Sequence, residues 1–383
     1  MKIQTEIMLG IAGALITYLV SITLLAYTYP LIRGAKEALA LLPAISDIRG
    51  DILGSSASRM ITSLHLGLLK PSASELTKSE ALNVMAAVTT TSVLISLVIV
   101  GWYALLHAEF LDVNMTISIS FLASLIIVVT ALPGIALAIS RLFALGIDPG
   151  NIMPTLVTVF VDLISIPSIA LVYAILSQSP HVLLAVASLL FATFSVTAAV
   201  FVTLYGGIQA RIFKERLSIV ILILTGESIA GVLLASLEEK LAEAGLIHIA
   251  LAFVGISGAL ASVAGLRMAL YVYVHGFKGL DRIAFWSFLD IASVGVVSTL
   301  PLGLIGYFTA GGEIQKTPLL TLIAVLLTST VITLLLVTPI AYLLVRLSFT
   351  LGVMPENVLL PTLTTFIDIV GIIILSTLGI WIT

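Results

Sequence analysis

The sequence has no cysteine and very little charge. Of its 383 residues, 10% are Asp, Glu, Lys or Arg. Without cysteine the chain can form no disulfide bond, thiolate metal site or cysteine-based redox centre. Its five histidines show no metal-ligand spacing, which disfavours a zinc or copper site. The net charge of -3 argues against a nucleic-acid partner.

Apolar residues dominate what is present. Hydrophobic residues make up 60% of the chain, and the mean hydropathy is +1.23. This composition predicts an all-α, polytopic membrane protein surrounded by the lipid bilayer. About eleven stretches are long enough for transmembrane helices: 5–32, 36–69, 80–107, 115–142, 151–177, 181–208, 214–238, 246–275, 281–309, 317–345 and 355–381.

The second stretch, 36–69, is unusual because it contains four charged residues. These are Asp47, Arg49, Asp51 and Arg59. If all four side chains faced lipid, they would together cost about 12 kcal/mol on insertion scales. We therefore expect them to face protein or water.

An internal repeat supports this assignment. Residues 48–60 are echoed by 256–268 at an offset of 208, and residues 145–162 by 351–368 at an offset of 206. The repeat predicts two five-helix copies, 1–178 and 212–383. Between them, 179–211 is predicted to be a linker helix that returns the chain across the membrane. Both copies would then have the same orientation, related by a pseudo-twofold axis along the membrane normal.

The distribution of basic residues predicts the orientation. With the N-terminus inside, the inner connecting segments carry ten Lys and Arg residues and the outer segments carry four. Basic residues accumulate on the cytoplasmic side of membrane proteins. We therefore expect a multi-pass protein of the cell membrane with a cytoplasmic N-terminus and an extracytoplasmic C-terminus. The pseudo-twofold symmetry predicts a functional monomer.

Asp162 and Asp368 end the second repeated segment, and each lies inside an apolar stretch. Because an intramembrane acid costs several kcal/mol, a repeated one indicates a paired ion site. A polar track would extend it on the same helix faces, formed by Asn151, Thr158, Asn357 and Thr364. Two facing carboxylates in a wet pore suit Mg²⁺, which prefers oxygen ligands and retains water. The alternative is a hydrogen-bonded pair that packs two helices.

These motifs resemble the MgtE-type magnesium channel family. The resemblance lies in a Pro-led helix with a Gly-Asp pair and a later arginine (Pro43, Gly50, Asp51, Arg59), and in Thr-Thr-Phe-Ile-Asp at 364–368. It is greatest to the tandem-duplicated branch, the archaeal relatives of the eukaryotic MgtE-like solute carriers. The resemblance implies a central cation pore between two five-helix units. It also implies that Asp162 and Asp368 line the pore, with Asp51 as a further metal ligand.

Four other acids are secondary or qualified candidates. The second repeat has Ala259 where Asp51 would recur, so an Asp51 site would be one-sided. Asp47 could bind metal, or pair with Arg49 or Arg59, and the second alternative applies to Asp51 too. Glu227 and Asp290 could supplement the site or pair with a neighbouring arginine.

The function predicted from these residues is a divalent-cation channel or transporter. Magnesium is the first choice, and manganese or another divalent cation is possible. No cofactor is expected, because the ion is the cargo. A sodium- or proton-coupled exchanger or carrier of cations or small solutes is the alternative. An intramembrane enzyme or scaffold is disfavoured, since the sequence shows no nucleophile-base pair, histidine cluster or cofactor motif.

Overall fold

A computed structural model describes residues 20, 22–107, 109–147, 149, 153–309, 317–352 and 355–380. The described residues are helical and include no strand, which confirms the predicted all-α class. The helices are α1 (Ile22–Ile32), α2 (Lys36–His65), α3 (Ala73–His107), α4 (Val113–Ala144), α5 (Met153–Leu176), α6 (His181–Tyr205), α7 (Ile208–Ser236), α8 (Glu238–Glu243), α9 (Ile247–His275), α10 (Leu280–Thr309), α11 (Leu319–Leu351) and α12 (Pro355–Ile380).

Length and composition identify the helices able to cross a membrane. Seven described helices are long and apolar enough: α3, α4, α6, α9, α10, α11 and α12. An eighth is α7, if its two segments, bent by 50° at a short break, form one span. The protein is therefore a polytopic membrane protein, and the count of eleven spans stays a prediction.

Local sequence signals account for individual helix boundaries. Asp112 precedes α4, and its carboxylate accepts hydrogen bonds from the backbone N–H groups of Asn114 and Met115 at 2.9 and 3.2 Å. This bonding satisfies donors that the first helical turn leaves open. Helix α11 ends at Gly352, whose φ of +69° is left-handed and favours glycine. Pro133 and Pro339 lie inside α4 and α11, as neighbouring membrane helices allow.

The described chain forms two compact units. The first unit contains residues 28–235, and the second contains residues 22–27 and the chain from Ser236 onward. Among the helix pairs that pack in the first unit are α2 with α3, α4 and α5, α3 with α4, and α4 with α5. The corresponding five pairs of α9, α10, α11 and α12 pack in the second unit. The two units thus share one packing pattern, while the predicted domain boundaries 1–178, 179–211 and 212–383 stay a prediction.

The central helix of the first unit is α2. Every residue from Ala38 to Ile45 is buried, so this part of the helix has no exposed face. Helix α6 is different: in the described part of the chain it packs on α3 and α4, and just 17% of its most apolar 18-residue stretch is buried. An apolar helix that is mostly exposed is expected to face lipid. Arg49, on the buried part of α2, therefore lies in the protein interior, one of the two environments that the sequence predicted for the charges of 36–69.

Candidate metal centre

Helix α2 presents two carboxylates one turn apart. Asp47 and Asp51 are at positions i and i+4, so they share one face of the helix. Asp47 is half-buried and Asp51 is exposed. The exposed position of Asp51 agrees with a group that reaches water, and its metal-binding role stays a prediction.

Asp47 lies close to a second acid, from α7. Carboxylate oxygens of Asp47 and Glu227 are within 4.8 Å of each other. Glu227 is 1% exposed. Divalent cations hold their oxygen ligands at about 2.0–2.6 Å, so a single ion can contact oxygens at this separation. The structure therefore brings together two residues that the sequence offered only as secondary candidates.

Asp162 joins this pair from α5, which packs along α2. Its carboxylate is close enough to Asp47 for the two charges to interact, and it lies within hydrogen-bonding reach of the Ser46 side chain. Its Oδ1 atom is buried and has no hydrogen-bond partner. A buried carboxylate oxygen without a donor is costly unless a cation or water satisfies it. Asp162 thus adds a third acid at this position of the first unit.

Close packing between α2 and α7 places Glu227 opposite Asp47. A Cβ atom added at Gly231 would lie 1.9 Å from the backbone oxygen of Ala40, so only glycine allows this approach. Small residues permit such close contact between membrane helices. Eleven residues before Glu227, Arg216 donates a hydrogen bond to Ser56, nine residues after Asp47. The two contacts show that α7 runs antiparallel to α2.

No ion pair neutralises these α2 acids. Among the residues that the structure describes, neither Asp47 nor Asp51 belongs to an ion pair. Arg59 instead pairs with Glu80 through two hydrogen bonds of 3.0 and 2.5 Å. The sequence alternative, in which Asp47 and Asp51 pair with Arg49 or Arg59, is therefore not the arrangement in this structure.

Arg49 has a different environment, which the sequence did not predict. Its side chain is 0% exposed, and its three nitrogens donate to the hydroxyls of Ser124, Thr91 and Ser92 at 2.8, 2.7 and 2.8 Å. The run Thr-Thr-Thr-Ser at 89–92 of an apolar helix is the one sequence signal for this polar interior. The cation therefore joins α2 to α3 and α4 without a carboxylate partner.

The other predicted site residues belong to the second unit or lie outside the described residues. Asp368 belongs to the second unit, where it is 5% exposed on α12, with Thr364 one turn earlier. The pairing of Asp368 with Asp162 stays a prediction. Asn151 and the side chains of Thr158 and Asn357 lie outside the described residues.

Asp290 pairs with an arginine, which the sequence offered as the alternative to metal binding. It forms an ion pair with Arg267 in the second unit. The two side chains are 56% and 50% exposed. Because both charges are already paired, this arrangement gives no support to a metal-binding role for Asp290.

A comparison with protein families agrees with the chemistry of the acids. The family model MgtE, described as a divalent cation transporter, matches residues 42–172. The matched segment contains Asp47, Asp51 and Asp162. Searches of curated proteins and of solved structures give no significant match. The match supports a divalent-cation transporter rather than an enzyme, with the cation as cargo and no cofactor implied.

Proposed function

We propose that the protein moves divalent cations, magnesium first among them, across the cell membrane, and that Asp47, Asp162 and Glu227 hold the ion in the first unit. The observation that carries the proposal is the approach of the Asp47 and Glu227 carboxylates to within 4.8 Å. In this proposal Asp51 is a further ligand at the water-exposed end of the same helix face. Asp368 contributes the equivalent of Asp162 from the second repeat, so that one acid from each repeat lines the pore.

Electrostatics favours a bound cation at this position. Two carboxylates that approach closely in a membrane protein repel each other, and removing each from water is costly. A divalent cation offsets both effects, because it attracts both charges and replaces the lost water with direct ligation. One or two carboxylates with retained waters is the usual arrangement for Mg²⁺, whereas a fully dehydrated cage is not. The small number of acids agrees with this preference.

Substitution of the two closest acids tests the proposal. We expect Asp47→Asn, Glu227→Gln and the double variant to lower magnesium uptake into proteoliposomes, measured with an enclosed magnesium-sensitive dye. The double variant should lose at least about tenfold in apparent affinity, which corresponds to about 1.4 kcal/mol. The amide isosteres keep the size of the side chains and remove only the charge.

Helix α7 offers a matched control. Glu215 lies on the same helix, is 62% exposed and pairs with Arg211 four residues earlier. Glu215→Gln is therefore the same chemical change at a solvated position, and uptake should stay at the wild-type level. Undiminished magnesium uptake by the Asp47→Asn/Glu227→Gln variant would remove both residues from the transport path.

Orientation and assembly form a separate part of the proposal. The predicted topology has a cytoplasmic N-terminus and an extracytoplasmic C-terminus, and a single chain is the functional unit. Because the chain has no native cysteine, single cysteines can be introduced at Lys70 and Glu109 without background labelling. In intact cells a membrane-impermeant maleimide should label Glu109→Cys and leave Lys70→Cys unlabelled. The reverse labelling pattern would invert the topology.

A further inference from the structure

Arg216 is a buried cation at the start of α7. Its side chain is 5% exposed. Its Nη2 atom donates to the Ser56 hydroxyl at 2.8 Å and lies 3.6 Å from Oε2 of Glu80. Its Nε and Nη1 atoms are buried and have no hydrogen-bond partner. One nitrogen therefore carries all of the polar contacts of this arginine.

Arg216 shares its partners with another arginine. Arg59 forms two hydrogen bonds with Glu80 and a third, at 3.1 Å, with the Ser56 hydroxyl. Helices α2, α3 and α7 thus meet at one cluster of Ser56, Arg59, Glu80 and Arg216, which we name the arginine cluster. It contains two cations and one carboxylate. Arg59 holds Glu80 through two hydrogen bonds, whereas Arg216 lies at the longer ion-pair distance of 3.6 Å from it.

The arginine cluster fixes only the first segment of α7. This segment, Gln209–Ser218, is bent by 50° relative to the second segment, Ile223–Ser236. The backbone oxygen of Gln209 also accepts a hydrogen bond of 2.8 Å from the Asn83 side chain. The second segment carries Glu227 and is fixed by the contact of Gly231 with Ala40. Glu227 therefore lies between two attachments of α7 to its neighbours, about 16 Å along the helix from Arg216.

We propose that Arg216 is a positioning residue, which holds the first segment of α7 on α2 and thereby sets the separation of Glu227 from Asp47. This inference rests on the proposed function. Two unsatisfied buried donors are expensive, so the arginine is poorly explained as a source of stability alone. Its contact with Ser56 is instead what prevents the bent helix from straightening. A straighter α7 would move Glu227 relative to α2. Asp47 and Glu227 would then bind a cation together more weakly.

A set of variants separates positioning from general stability. Arg216→Met removes the polar contact and keeps the length of the side chain. We expect it to raise the half-saturating magnesium concentration of uptake about tenfold and to leave the maximal rate within about twofold of wild type. Arg216→Lys keeps one donor nitrogen, which is all that Arg216 uses, and should stay within about threefold of the wild-type half-saturating concentration. Arg267→Met, which removes the arginine of the exposed ion pair in the second unit, is the control and should match wild type.

Binding of Mn²⁺, followed by electron paramagnetic resonance on purified protein, provides a second readout. Arg216→Met should weaken Mn²⁺ binding by the same factor as uptake. A half-saturating concentration unchanged in Arg216→Met would overturn the inference, as would an equal loss in Arg216→Met and Arg216→Lys. If Arg216→Met fails to fold, Ser56→Ala removes the shared acceptor and should give a smaller shift in the same direction, and no shift would count against the inference.

Glu227→Gln in the same assays distinguishes this inference from the proposed function. If Glu227→Gln leaves affinity unchanged, the proposed cation site itself is wrong. If Glu227→Gln weakens affinity and neither Arg216→Met nor Ser56→Ala does, the site stands and only the positioning role of Arg216 fails.

Discussion

The two compact units share a helix-packing pattern and differ in their polar interior. In the first unit, α2 carries Asp47, Arg49 and Asp51. At the offset of 208 that aligns the repeats, the second unit has Gly255, Ser257 and Ala259 on α9. Both helices nevertheless pack against the three other helices of their repeat in the same way. The same packing pattern therefore forms with and without these charges, which occur in one copy of the repeat.

The arginine shared by both copies shows the same contrast. Arg59 on α2 and Arg267 on α9 occupy equivalent positions, and each pairs with an acid on the next helix, Glu80 or Asp290. In the first unit the acid is 7% exposed and a second arginine, Arg216, joins the pair. In the second unit both partners are about half exposed. The same contact is thus an interior cluster in one unit and a surface ion pair in the other.

The largest expected effect on the free energy of unfolding concerns Arg49, whose counterpart in the second unit is a serine. Arg49→Ser makes the first unit resemble the second, but it leaves a cavity among α2, α3 and α4. We expect a loss of about 3 kcal/mol in the free energy of unfolding, as for other large-to-small changes in a core. The measurement is thermal unfolding of the purified protein in detergent.

Arg49→Met is the matched control for that change. It fills most of the volume and removes the buried charge. Thr91 and Ser92 keep their hydrogen bonds to backbone oxygens of Ala87 and Val88 at 2.8 and 2.7 Å, so the donors of these two hydroxyls stay satisfied. The loss should be below about 1.5 kcal/mol. Equal destabilisation by serine and methionine would show that the charge, and not the volume, holds the three helices together.

A second difference is expected between the two equivalent arginines. Arg59→Met leaves Glu80 buried with only Arg216 nearby, and should cost about 2 kcal/mol of unfolding free energy. Arg267→Met breaks a pair that is largely solvated, and should cost less than about 1 kcal/mol. Thermal unfolding of the two variants, measured side by side, gives the comparison. A larger effect at Arg267 would contradict the assignment of the interior cluster to the first unit.

Much of the architecture could be predicted from the sequence, because it depends on local composition. Long apolar stretches predict membrane helices regardless of their neighbours, and the structure confirms the all-α class. The cost of charge in lipid also predicted that Asp47, Arg49, Asp51 and Arg59 face protein or water. Arg49 is fully buried and Asp47 is half-buried, whereas Asp51 is exposed, so for Asp51 this stays a prediction.

The composition of the site could not be predicted in the same way. Asp47 and Glu227 are far apart in the chain, and no spacing rule predicts that α7 packs on α2. The contact depends on the absence of a side chain at Gly231, which sequence alone does not distinguish from other glycines. The partners of Arg49 depend similarly on which hydroxyls of α3 and α4 meet in three dimensions. The sequence therefore did not show which side chains contact each other across helices.

The last comparison concerns a glycine in each unit. Gly231→Ala places a methyl group against the backbone of Ala40, which cannot rotate away, so α7 must shift from α2. Overpacking of this kind costs about 1–3 kcal/mol. At Gly258 of the second unit, an added Cβ would lie 3.5 Å from Cγ2 of Thr364, an ordinary contact. Gly258→Ala should therefore be neutral, or stabilising by up to about 1 kcal/mol through helix propensity.

Magnesium uptake provides a second test of the same pair of variants. Because Gly231 lies one turn beyond Glu227 on α7, a shift of the helix should also raise the half-saturating magnesium concentration. Thermal unfolding in detergent and uptake in proteoliposomes can be measured on the same preparations. If Gly231→Ala lowers stability and leaves the magnesium dependence unchanged, the separation of α7 from α2 does not control ion binding. The acids of the first unit would then act independently of the helix contact that brings them together.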